Sequence, residues 1–286
     1  MDGGKPSIPL IETTSTPSAR NLLLRVASAA ILAPLALAAA WFGDWPFTVF
    51  WGLAAIAVWW EWIGIVEPSG RNVLLATGIC ALVLQGILFE SGHPTIALMI
   101  VALGALAGIV TAGKRAPAVA GGLIYASTLL MATSIVRSDD GYGFAAIVLL
   151  YGVVWGSDIG GFFAGRAFGG PKLAPAISPK KTWSGAIGGA LVGIAAAIAI
   201  ASLFAIRNPV MIGIVALVLS VASQSGDLFE SWLKRHFGVK DSSGLIPGHG
   251  GVMDRLDGFI FAAAAAALIG VARGGFDRPA AGLLVW

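Results

Sequence analysis

Long apolar runs separated by short polar breaks dominate this chain. The apolar stretches cover about Leu22–Phe42, Pro46–Val66, Val73–Phe89, Thr95–Ala112, Ala118–Val136, Phe144–Phe168, Trp183–Ile206, Pro209–Leu233 and Leu256–Ala272. Each approaches or exceeds the ~20 residues that a helix needs to cross a bilayer, the third and ninth being the shortest. The ten-residue alternation of an outer-membrane barrel strand is absent. The pattern therefore predicts an all-α polytopic integral membrane protein of about nine transmembrane helices.

The polar breaks organise those helices. Residues 1–19 are rich in Ser, Thr and Pro with few large apolar side chains, the composition of a disordered tail. A cleaved signal peptide is the competing reading of the first run, but the long tail and the run's continuation through Trp41 argue against it. Residues 20–137 have short connections and one intramembrane acid, Glu61, and read as scaffold or dimer-contact helices. Residues 138–273 carry the chemistry, and 274–286 form a short tail. With the N-terminus inside, one side holds Lys5, Arg20, Arg25, Arg71, Lys114, Arg115, Arg166, Lys172, Lys180, Lys181, Lys234, Arg235, Lys240 and Arg255. The other holds Arg137, Arg207, Arg273 and Arg278. That asymmetry predicts a cytoplasmic N-terminus and an odd number of spans.

Composition agrees. The chain has 286 residues, 57% hydrophobic and only 12% charged, with a mean hydropathy of +0.86. A soluble domain carries about a quarter charged residues, so that class is excluded. A formal charge of +3 says little beside its placement. One cysteine, Cys80, leaves no internal disulfide or cysteine metal cluster, and its apolar run assigns it to packing.

Against this background, the polar connections around 166–182 and 234–255 stand out, both on the side read as cytoplasmic. Asp158 interrupts an apolar run as a helix-kink partner or a site group. Gly156, Gly160, Gly161 and Gly165 around it permit close helix packing or close approach to a ligand. Ser178-Pro179-Lys180-Lys181 precedes a helix start near Thr182, where a helix N-terminus and lysines attract phosphate. Ordinary surface lysines are the alternative, and Trp183 fits an interfacial anchor or a ligand contact. Gln224, Asp227, Ser231 and Lys234 share one helical face, with Glu230 placed to pair with Lys234. Such a stripe suits a water-filled passage or a Mg²⁺ site, since Mg²⁺ takes one or two carboxylates plus substrate phosphates. Gly248, Gly250 and Gly251 form a turn whose amides could approach phosphates, and His249 fits a structural hydrogen bond or a phosphate contact. Asp254 and Asp257 then open the last span, beside Arg255.

These residues together resemble the CDP-diacylglycerol synthase (phosphatidate cytidylyltransferase) family over about residues 150–260. The matching positions are Ser231, Lys234, Arg235, Lys240, Asp241, Pro247, His249, Gly250, Gly251, Asp254, Arg255 and Asp257. Asp158, the block from Lys172 to Trp183, and Gln224 to Ser231 add to the likeness. Ser184 and Gly258 depart from it, the family often having Glu and Ser there. The resemblance implies transfer of CMP from CTP to phosphatidic acid with Mg²⁺, and with K⁺ as a candidate second cation. On that reading Asp227 and Asp254 would hold the metal, with Asp257 and Asp158 as outer or alternative ligands, and Asp227, Asp254, Lys234 and Lys180 would carry catalytic roles. Ser178, Lys180, Lys181, Ser231, Lys234, Arg235, Lys240, Asp241, His249, Gly250, Gly251 and Arg255 would bind phosphate or nucleotide. A homodimer in the bacterial inner membrane follows, with a cytoplasmic active site among membrane lipids and no nucleic-acid partner. A transporter is the rival, but it would place polar groups near the midplane and favour an inverted repeat. Other lipid-phosphate enzymes, such as a polyprenol kinase, are the third reading.

Overall fold

The computed structural model describes residues 19–67, 71–246 and 250–286. The N-terminal tail expected over residues 1–19 lies outside it up to residue 18, as does His249. A helix forms on each of the nine apolar stretches: α1 Ala19–Phe42, α2 Asp44–Val66, α3 Arg71–Glu90, α4 Pro94–Thr111, α5 Ala116–Arg137, α6 Gly143–Phe168, α7 Trp183–Leu203, α8 Pro209–His236 and α9 Met253–Gly274. Among the described residues, seven helices are long and apolar enough to cross a membrane. The third and ninth are among the seven; the shorter apolar helices are instead Ser28–Phe42, within α1, and Pro94–Val110, within α4. Proline in the first turn starts α4, α5 and α8, where its missing N–H has no helical partner to lose.

Small and aromatic side chains set the packing. Trp51 of α2 stacks on Phe259 of α9 at 4.7 Å, and Tyr125 of α5 meets Phe229 of α8 at 5.8 Å. Both contacts join the first half of the chain to the second, within one continuous buried core. Val110, Leu191, Leu203 and Leu268 point outward in the open, as apolar side chains facing a membrane would. Cys80 also faces outward on α3 rather than packing inside. The closest helix pair is α6 with α7, and its seam is glycine. A Cβ on Gly160 would lie 2.7 Å from Val192 Cβ, and one on Gly189 2.7 Å from the Ser157 carbonyl. The glycines around Asp158 therefore serve helix packing.

Two features depart from a purely helical reading. The polar connection after α6 is a small antiparallel hairpin, β1 Lys172–Ala174 and β2 Ser178–Thr182, paired Lys172 to Thr182 and Ala174 to Ser178. Thr182 then caps α7, its hydroxyl accepting the Gly185 N–H at 3.2 Å. The segment after α9 does not trail away: a helix α10, Pro279–Leu284, is buried against α9. Asp139 accepts the Ala281 N–H at 2.8 Å, and the Arg273 guanidinium lies 3.3 Å from the Trp286 ring centre. The Asp139 turn and α10 thus mark one end of the bundle. The C-termini of α6 and α8 and the N-termini of α7 and α9 meet at the other.

Candidate active site

At that second end a polar cleft of about 340 Å³ opens among the apolar helices. Its walls are Asp158 of α6, Lys181 of β2, Asp227, Glu230, Ser231 and Lys234 of α8, Asp241 of the following loop, and Asp254, Arg255 and Asp257 of α9. Two close approaches create it. The glycine seam carries Asp158 and the hairpin to α8. The α8–α9 crossing then relies on Gly226 and Gly258: a Cβ on Gly226 would sit 2.4 Å from the Asp257 carbonyl, and one on Gly258 2.6 Å from Asp227 Oδ1. A side chain at Gly226 would collide with the α9 backbone and hold Asp227 away from Asp257. Asp227 lies well inside α8 rather than at its end.

Charges in the cleft are tightly paired. Lys181 Nζ donates to Asp227 Oδ2 at 2.8 Å. Lys234 Nζ bridges Glu230 Oε2 at 2.7 Å and Asp254 Oδ1 at 2.6 Å, with all three side chains largely buried. Asp254 also accepts the Gly251 N–H at 2.9 Å and the Ser242 N–H at 3.2 Å. Asp158 and Asp257 both lie within electrostatic range of Asp227. The cleft therefore gathers six carboxylates against two lysines and Arg255, a surplus of negative charge inside an apolar bundle.

The sequence-derived candidates divide accordingly. Asp158, Lys181, Asp227, Ser231, Lys234, Asp241, Asp254, Arg255 and Asp257 come together in the cleft. Ser178, Lys180, Arg235 and Lys240 lie outside its walls, the last three on exposed surface. Gly250 and Gly251 spend their amides inside the loop, Gly250 N–H on the Ile246 carbonyl and Gly251 N–H on Asp254, so those amides serve loop closure. Gln224 turns to the α7 backbone, donating to the Ala186 carbonyl at 3.2 Å. Glu230 joins the cleft as a full wall member; its spacing to Lys234 was the available signal. Glu61 of α2 is the larger omission. It is buried and accepts hydrogen bonds from the loop before α9. A lone carboxylate in an apolar run was the clue to it.

The donor chemistry suits a hard cation. Among the described residues no three acidic, histidine or cysteine side chains form a ready-made metal cage. Mg²⁺ does not require one, because substrate phosphates and water complete its coordination. The buried Glu230 Oε1 has no hydrogen-bond partner among the described residues, leaving a carboxylate oxygen available at the cleft. Beside the cleft lies an apolar cavity of about 550 Å³ between α5, α8 and α9, lined by Trp62, Tyr125, Phe229 and Phe261 among others. Phe229 and Leu233 face this cavity while Glu230 and Lys234 face the cleft, so the two spaces border the same stretch of α8.

A carboxylate-rich cleft beside an apolar cavity suits chemistry between a phosphate-bearing solute and a lipid, and similarity to known proteins narrows the class. A phosphatidate cytidylyltransferase of Brucella suis biovar 1 (strain 1330) is 41% identical over 272 residues, covering 91% of this chain and 97% of that protein. One of Brucella abortus biovar 1 (strain 9-941) is 42% identical over 261 residues, covering 87% and 93%. One of Bacillus subtilis (strain 168) is 42% identical over 127 residues, covering 44% and 47%. Residues 23–272, which include every wall of the cleft, match the sequence model of the Cytidylyltransferase family, and the chain belongs to that family.

Proposed function

We propose that this chain is a phosphatidate cytidylyltransferase, joining CTP and phosphatidic acid into CDP-diacylglycerol and pyrophosphate. The observation that carries the reading is the carboxylate and lysine cleft at the α8–α9 crossing, beside an apolar cavity, in a chain of this family. A phosphate monoester is already a competent nucleophile near neutral pH, so the reaction needs no strong general base. A phosphatidate oxygen attacks the α-phosphorus of CTP. The new P–O bond forms as the bond to the β-phosphate oxygen breaks, and pyrophosphate leaves with the electron pair. The protein's part is to align the reactants in line and to neutralise charge.

Lys181 and Lys234 are the nearest cations for the phosphates. Each is held by carboxylates that an incoming phosphate would compete with, Lys181 by Asp227 and Lys234 by Glu230 and Asp254. Arg255 and Ser231 complete the polar wall. Asp227, Asp158 and Asp257 would hold Mg²⁺, with Asp254 joining once Lys234 is drawn to phosphate, and the same set has carboxylates for a second cation such as K⁺. Bound there, Mg²⁺ supplies charge neutralisation of the triphosphate. The apolar cavity offers cover for acyl chains. The positive-inside count supports an odd number of spans with the cleft on the cytoplasmic face, where soluble CTP meets a lipid headgroup.

Membranes or proteoliposomes given CTP labelled at the α-phosphate, with phosphatidate, test this reading. Lipid-soluble label is expected from α-labelled CTP and only water-soluble label from γ-labelled CTP. Lipid label from the γ position would instead mean a lipid kinase.

A further inference from the structure

Glu61 lies on α2, outside the cleft, yet its partners all belong to the segment that delivers Asp254. It is 1% exposed. Its Oε1 accepts the Ser243 hydroxyl at 2.6 Å and the Val252 N–H at 2.8 Å. Its Oε2 accepts the Met253 N–H at 2.7 Å and lies 3.1 Å from the Ser242 hydroxyl. Two backbone N–H groups and the Ser243 hydroxyl thus donate to one side chain, with the single Ser242 hydroxyl proton available to it or to Asp254, and both Glu61 oxygens serve as acceptors. The first N–H groups of a helix lack internal partners, and Val252, the residue before α9, supplies no side-chain cap. Glu61 does that work from another helix, and its charge suits a helix N-terminus.

The connection continues to the cleft. The Ser242 hydroxyl stands between two carboxylates, 3.1 Å from Glu61 Oε2 and 3.0 Å from Asp254 Oδ2. Gly251 closes the arrangement, because a Cβ there would lie 1.8 Å from Ser242 Oγ and 2.7 Å from both Glu61 oxygens. The loop is thus built around this carboxylate at a position that admits no side chain.

We propose that Glu61 is a positioning residue for cytidylyl transfer, holding Ser242, Ser243 and the first turn of α9 so that Asp254 faces the cleft. The proposal rests on the function given above. It also makes a specific demand on chemistry. Each Glu61 oxygen holds a backbone N–H that cannot turn away, so a glutamine at this position sets its NH₂ against one of them in either orientation.

The test compares wild type, Glu61→Gln and Ser242→Ala as purified full-length protein. Hydrogen exchange of the peptide spanning 242–256 is measured alongside kcat and KM for CTP, normalised to folded protein. Glu61→Gln is expected to speed exchange there and to lower kcat by about 10- to 100-fold, the scale of a small misplacement of reacting groups. Ser242→Ala keeps both backbone caps, so it is expected to fold normally and lose kcat severalfold. Unchanged exchange in Glu61→Gln overturns the proposal. So does faster exchange with wild-type kcat per folded molecule, which would make Glu61 purely structural. A Glu61→Gln protein that does not fold leaves the decision to Ser242→Ala, whose full kcat would overturn the link to Asp254. A wild type that makes no CDP-lipid refutes the functional reading instead, a result distinct from any difference between variants.

Discussion

Lys234 shows how tightly single residues are committed in this site. It neutralises Glu230 and Asp254 together, with its side chain only 13% exposed. Lys234→Met strands two buried carboxylates, and removing one partner of a buried ion pair costs about 3–5 kcal/mol. A lower midpoint in detergent unfolding and loss of CMP transfer are expected together; an unchanged midpoint would mean that the pairing contributes nothing. The Lys234–Glu230 pair was legible as an i, i+4 spacing, whereas Lys181–Asp227 was not, because α7 and the first two-thirds of α8 separate the two in sequence. Gly258 is a sharper case. Its departure from the family's Ser raised doubt about a side-chain role, and the structure shows what a side chain there would displace: a Cβ would lie 2.6 Å from both Asp227 Oδ1 and Ser223 Oγ, so those two groups would have to shift. Gly258→Ala is therefore expected to cut CMP transfer by about 10-fold or more through displaced Asp227. Wild-type turnover in that variant would show that α8 and α9 can separate without harm.

Among the elements, helices followed directly from the apolar runs, because a backbone in hydrocarbon must satisfy its own hydrogen bonds. The hairpin did not. Its strands are only Lys172–Ala174 and Ser178–Thr182, without alternation, and Pro179 is tolerated because both strands of a two-stranded sheet are edges. The glycines of α6 allowed either packing or ligand approach, and only the facing Gly185, Gly188, Gly189 and Gly193 of α7 decide for packing. Gly189→Leu is expected to pry the pair apart at a cost of about 1–3 kcal/mol, the usual scale of overpacking. It should also lower activity, because the pair carries Asp158 and Lys181. A variant as stable as wild type in unfolding measurements would contradict that seam. Capping of α9 by Glu61 was beyond the sequence, since nothing in the spacing links residue 61 to residues 252 and 253.

Across the whole molecule, the positive-inside count and the alternation of helix ends agree on one arrangement. The cleft and the Arg115 connection lie at one end, and the Asp139 turn and α10 at the other. In a Cys80→Ser background, a cysteine at Lys240 is expected to react with an impermeant reagent only from the cytoplasmic side, and one at Asp140 only from the opposite side. The reverse pattern would invert the proposed orientation. The first half of the chain read as scaffold, but the Trp51–Phe259 stack and Glu61 bind it into the site's own support. The central claim is that the carboxylate cleft transfers CMP from CTP to phosphatidate, and Asp227 joins Lys181 to the Asp158 and Asp257 carboxylates there. The decisive measurement is lipid-soluble label from α-labelled CTP in proteoliposomes containing equal amounts of folded wild type or Asp227→Asn. Wild type should label the lipid, and Asp227→Asn should fall by about 100-fold or more, the loss typical of removing one electrostatic stabiliser. Equal labelling by the two proteins would contradict the account.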